Sequence, residues 1–117
     1  MQSLKRVTPA TVDVLVALVE AAEPVWGLLV VSSTGRPAGS VYPILERLES
    51  IEWVTSEWEV DARRTGPRRR LYRLTPDGLG AARAAIDAHA VRMQRRRGSA
   101  VHTRPAPGRG DATGVLA

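Results

Sequence analysis

Six arginines fall between positions 63 and 73: Arg63, Arg64, Arg68, Arg69, Arg70 and Arg73. A guanidinium is planar and permanently charged, and its donors form a fork that matches phosphate oxygens. A cluster of them suits a polyanion, because neutralised phosphates release their condensed counterions. The bland alternative is a solvated basic loop. The wider charge pattern weighs toward the first reading. Residues 1–60 carry a net −4 and residues 61–97 a net +8, within a formal +5 for all 117 residues. A basic segment joined to an acidic one implies that one part of the fold meets the polyanion.

Other chemistry finds little support. His89 and His102 are the only histidines and cysteine is absent. That excludes disulfides, thiolate zinc sites and thiol redox switches, and fits a cytoplasmic protein. Two isolated histidines are not a metal site by spacing, and no nucleophile is arranged with a base. No enzymatic activity, metal or cofactor is expected. Glu46, Glu49 and Glu52 share one helical neighbourhood and read as a solvated face rather than a carboxylate pair. The tryptophans Trp26, Trp53 and Trp58 could line a cavity for an aromatic effector. In a chain without phenylalanine, core packing is the favoured reading for Trp53 and Trp58, and Trp26 stays between the two. No apolar run reaches 18 residues and the N-terminus lacks a secretory h-region, so no membrane partner is expected.

The elements that must position the arginines follow from periodicity. Thr8 to Ala22 reads as a helix capped by Thr8, with Pro9 at its first position. Its stripe is Val12, Leu15, Val16 and Val19, widened by Val14 and Leu18. Val25 to Gly35 is too short for periodicity to decide between helix and strand. Its place between two helices favours helix, with Ser32 to Gly35 as a turn. Val41, Ile44, Leu45, Leu48 and Ile51 then mark an amphipathic helix that contains Pro43. If Ser40 is the N-cap, Pro43 is the third helical residue and costs no hydrogen bond. A start at Pro37 would instead place the proline inside the helix. Trp53 to Val60 alternates as a strand, with Val54, Ser56, Trp58 and Val60 on one side. Asp61 to Arg68 is a turn-rich connector, and Arg69 to Thr75 returns as a second strand. Thr75 caps a last helix to Arg97, where Leu79, Ala82, Ile86, His89 and Met93 recur at heptad-like spacing. Residues 98–117 read as a disordered tail. The predicted class is mainly α with a small β-hairpin, a winged helix-turn-helix. Its parts are residues 1–75 for the winged helix-turn-helix, 76–97 for the C-terminal helix with its heptad-like seam and 98–117 for the tail.

Two stretches resemble a known family. "RPAGSVYPILERLESIEWVTSEWE" is similar to the recognition-helix signature of the PadR family of bacterial transcriptional regulators. "GPRRRLYRLTPDG" resembles that family's wing, return strand and Leu-Thr-x-x-Gly opening of the last helix. The resemblance spans about Thr8 to Arg97. It implies a winged-helix fold, a homodimer joined through the C-terminal helix, and a double-stranded, pseudo-palindromic DNA operator bound as a repressor. The resemblance thereby makes residues 1–75 the DNA-binding domain and residues 76–97 the C-terminal dimerisation helix. Ser40, Tyr42 and Pro43 match the start of the recognition helix, and Arg68 to Arg70 match the basic wing. "VWG" stands where the family often shows a His-Gly-Tyr-like element. Some members sandwich flat drugs between tryptophans of their C-terminal helices. Residues 76–97 hold no aromatic residue, so a pore of that kind is not expected, and the identity of any small-molecule effector stays open.

The expected DNA contacts are therefore Arg36, Ser40, Tyr42, Pro43 and Arg47 from the helix side, and Arg63, Arg64, Arg68, Arg69 and Arg70 from the wing. Arg47 is the best placed for a bidentate contact to guanine. The expected dimer seam is Leu79, Ala82, Ile86, His89 and Met93. The rival reading is a winged-helix protein-interaction module without specific DNA binding, which would not need the wing charge.

Overall fold

A computed structural model describes residues 4, 6–60, 63 and 65–103. The expected contact Arg64 and the segment 104–117 lie outside the described residues. The elements are α1 (Pro9–Glu20), β1 (Val25–Trp26), α2 (Gly27–Thr34), α3 (Ala38–Ser50), β2 (Val54–Trp58), β3 (Arg70–Leu74) and α4 (Pro76–Thr103).

The cap at the front of α1 is the one the sequence predicts. The Thr8 side chain accepts from the Thr11 amide at 3.2 Å, and Pro9 follows as the first helical residue. The core stripe is turned from the expected one. Thr11, Val14, Leu15 and Leu18 are buried, while Val12, Val16 and Val19 are half-buried. A helix apolar on most of its circumference does not fix which face turns inward, so packing decides. Thr11 is tolerated in the core because its hydroxyl meets that of Thr8 at 3.0 Å.

Val25 and Trp26 form a strand, and the helix begins only at Gly27. β1 pairs antiparallel with β3, Val25 opposite Tyr72 and Trp26 opposite Leu71. The expected hairpin is thus a three-stranded sheet in the order β1-β3-β2. Ser32 to Thr34 stay helical, and α2 ends at Gly35, whose amide bonds the Val31 carbonyl at 3.1 Å.

The start of α3 differs from expectation. Pro37, not Ser40, is the N-cap, and its carbonyl accepts from both Ser40 and Val41. Pro43 therefore sits inside the helix. Its missing N–H leaves the Gly39 carbonyl without an intrahelical donor. Gly39 and Pro43 are both exposed, so water can satisfy that carbonyl. The inward stripe is as read: Val41, Ile44, Leu45, Leu48 and Ile51 are buried.

The core joins α1, α2, α3 and the inner face of the sheet, with Trp53, Val54, Tyr72 and Ala82 completing it. The chain divides between Asp87 and Ala88 into two units, the first holding the winged body and the front of α4. In the second unit the helix runs on to Thr103, so residues 98–103 are helical rather than part of a tail. Gly98 does not stop it, because one glycine in a helix costs only about 1 kcal/mol. Among the described residues no helix is long and apolar enough to cross a membrane.

Candidate nucleic-acid interface

The outward face of α3 is defined by what the core leaves over. Ala38, Gly39, Pro43, Glu46, Arg47 and Ser50 are exposed, and the Arg47 side chain makes no ion pair with a described residue. Two small residues open the helix, so its first turn carries no bulk. Arg47 and Glu46 stand further along as a long donor and an acceptor.

Two residues expected on this face are occupied elsewhere. The Arg36 Nε donates to Asp13 Oδ2 at 2.9 Å, which ties the turn before α3 to α1. Tyr42 is half-buried against the front of α2. A Cβ on Gly27 would lie 2.8 Å from its Cε1 and 3.0 Å from its hydroxyl. The bare Gly27 is what lets the two helices of the motif approach, and Tyr42 is a packing residue at their crossing. Ser40 is half-buried.

The wing is built by β2 and β3, with Val54 opposite Leu74, Ser56 opposite Tyr72 and Trp58 opposite Arg70. Alternation along β2 holds as a pattern of faces, but burial fades toward the tip. Val54 is 1% exposed, Trp58 50% and Val60 90%. Trp58 is thus not a core residue, which corrects the expectation.

The wing arginines are only partly free. The Arg69 guanidinium stacks 4.0 Å from the Trp26 ring centroid, and its Nε is buried without a hydrogen-bond partner. Arg68 Nε donates to the Glu59 carbonyl at 3.3 Å, and its guanidinium lies 6.0 Å from the Trp58 centroid. Arg70 lies 5.2 Å from the same ring and 3.8 Å from a Glu49 carboxylate oxygen. Glu49 also accepts from the Ser56 hydroxyl at 2.6 Å. It is therefore not a member of a solvated face. Arg63 is exposed in the connector between the strands. The sequence gives no signal for Glu49, Ser56 or Asp13 as partners, because each pairing spans elements whose approach only the fold creates.

Of the expected dimer seam, Ala82 is fully buried in the chain's own core. Leu79, Ile86, His89 and Met93 are half-buried. Away from α3's outer face, a cleft of about 700 Å³ opens between the end of α1, the sheet and the front of α4. Leu18, Val19 and Leu79 line its apolar part, and Arg73 and Arg83 are its cations.

This architecture is that of winged-helix transcriptional regulators. The PadR family transcriptional regulator from Eggerthella lenta shares 30% identity with a TM-score of 0.59, over 78% of this chain and 82% of that one. The PadR-like transcription factor from Bacteroides fragilis shares 19% identity with a TM-score of 0.57, over 80% and 88%. The PcaV transcriptional regulator from Streptomyces coelicolor, solved with its natural ligand, shares 23% with a TM-score of 0.62, over 91% and 69%. The last two likenesses concern the fold alone. No curated protein matches the chain. Residues 18–84 match the Transcriptional regulator PadR-like family, and the chain belongs to it.

Proposed function

We propose that this PadR-like regulator is a sequence-specific DNA-binding repressor that acts as a homodimer on a pseudo-palindromic operator. The observation that carries this reading is the exposed face of α3, free of the protomer's own packing, beside a wing that bears arginines. A helix presented this way enters a major groove with its side chains toward base edges. Arg47 suits guanine O6 and N7, and Glu46 suits the cytosine amine. Arg63 and Arg68, exposed on the wing, position the protein on phosphates without reading sequence.

The dimer part rests on the second apolar face of α1, Val12, Val16 and Val19, and on Ile86 and Met93 of α4, all half-buried in the single chain. A partner helix would cover such surface. Ile86→Glu and Met93→Glu are expected to give monomers by light scattering. A dimer that survives both changes would place the interface elsewhere.

Fluorescence anisotropy against the protein's own promoter and against random DNA, at one salt concentration, tests the regulator reading. A clear preference for the promoter is expected. Arg47→Ala should erode that preference by about 1–3 kcal/mol. Equal affinity for both DNAs would overturn specific repression.

A further inference from the structure

The wing and the recognition helix share one carboxylate. Glu49, in the last turn of α3, accepts from Ser56 of β2 at 2.6 Å and lies 3.8 Å from Arg70 of β3. One acidic side chain thus reaches both strands of the wing. Arg70 is held from a further side, its guanidinium 5.2 Å from the Trp58 ring centroid. Its charge also favours the ionised form of the neighbouring Tyr72 hydroxyl. Tyr72 is itself anchored in the core at 5% exposure. The register explains why these groups meet. Trp58 is opposite Arg70 and Ser56 opposite Tyr72, so all four stand on the face that Glu49 meets.

We propose that Glu49 and Arg70 form a strut that sets the wing against the recognition helix, and that Arg70 serves DNA binding as a positioning residue rather than a phosphate ligand. The proposal rests on the DNA-binding reading and refines it. Three consecutive wing arginines look equivalent in sequence, and the structure gives them different work. Arg68 and Arg70 both face Trp58, but only Arg70 also touches the carboxylate of α3. A guanidinium engaged by a carboxylate and an indole must give up those partners to hold a phosphate. Breaking the strut lets the wing swing, so a phosphate held by Arg63 or Arg68 is met less often in register with α3.

The two roles predict opposite signs at Glu49. If Arg70 is a phosphate ligand, Glu49 is a nearby negative charge, and Glu49→Gln tightens DNA binding. If Arg70 is a strut, Glu49→Gln weakens it. Arg70 and Glu49 are 39% and 36% exposed at the side chain, so the pair is weak. A loss of about three- to tenfold in affinity is expected for either change.

The experiment measures promoter affinity against salt concentration for the full chain and for Glu49→Gln, Arg70→Gln and the double variant. The strut predicts that both single variants weaken binding and that the double is no weaker than the worse single. It also predicts an unchanged slope of log affinity against log salt. A slope shallower by about 0.9 in Arg70→Gln would identify a phosphate contact and overturn the proposal. Tighter binding by Glu49→Gln would do the same. A wild-type protein with no promoter preference would overturn the regulator reading, and that is seen before any variant is compared. The strut then stands or falls on amide hydrogen exchange without DNA. Exchange in β2 and β3 should rise equally in both single variants and no further in the double. Additive rises would overturn it.

Discussion

Replacing Gly78 with alanine attacks the joint between α4 and the exit of α3. Thr75 organises that joint. Its amide bonds the Trp53 carbonyl at 2.9 Å, and its hydroxyl reaches the Glu52 carbonyl at 3.1 Å and the Trp53 carbonyl at 3.3 Å. The same hydroxyl accepts from the Gly78 amide at 2.8 Å, capping α4. The first turn of α4 is thereby laid backbone to backbone on Trp53. A Cβ on Gly78 would stand 2.0 Å from the Trp53 carbonyl oxygen and 2.7 Å from its carbon, where ordinary contact begins at 3.4 Å. More than an ångström must be found, and the obstacle is main chain rather than a side chain that can turn away. Overpacking of this kind costs about 1–3 kcal/mol, and a backbone obstacle puts it at the upper end. Alanine returns about 1 kcal/mol of helix propensity. The net is a loss of about 2 kcal/mol, or about 8–16 °C in melting temperature for a domain of this size. Gly80, two residues on, is the internal control, since a Cβ there meets nothing within 4 Å. Gly80→Ala should gain about 0.5–1 kcal/mol. Thermal unfolding followed by circular dichroism separates the two. Equal melting of Gly78→Ala and Gly80→Ala, both at or above wild type, would refute the close approach.

Three further outcomes are expected. Glu52 has a φ of +67° in the turn after α3, so Glu52→Gly should stabilise by about 1 kcal/mol in urea denaturation; a destabilised variant would contradict the strain. Burial raises the Tyr72 hydroxyl above its ordinary value of 10.0, against the pull of Arg70. The neutral phenol then contributes stability that is full below the unfolded value and lost as pH rises through the folded one. Unfolding free energy should therefore fall above about pH 10, and Tyr72→Phe should flatten that fall. Arg36 is held by Asp13, so Asp13→Asn should free a cation beside α3 and steepen the salt dependence of DNA binding by about 0.9. An unchanged dependence would place Arg36 away from phosphate.

Much of the fold is legible in the sequence because it follows from local chemistry. Thr8-Pro9 and Thr75-Pro76 mark helix starts whatever surrounds them, since the cap and the fixed proline φ act within one turn. The inward stripe of α3 is equally local, because its apolar residues occupy one side and its polar residues the other. Arg47 and Arg63 are exposed.

Where several faces or partners were available, only the tertiary structure chose. The apolar circumference of α1 left its core face undetermined, and packing turned Leu15 and Leu18 fully inward while leaving Val16 half-covered. Val25 and Trp26 became a strand because β3 had an edge to pair with, 47 residues along the chain from Val25 to its partner Tyr72. Ser40 looked like a cap, yet Pro37 supplied the carbonyl that α3 starts from. Six clustered arginines announced a basic wing, but their pattern could not distinguish Arg69 on Trp26 from Arg70 on Glu49. Composition determined that this protein carries a cationic surface beside an amphipathic helix. Which cations face outward was decided by long-range pairing, because a guanidinium already engaged by a carboxylate, as Arg70 is by Glu49, must release it before it can hold a phosphate.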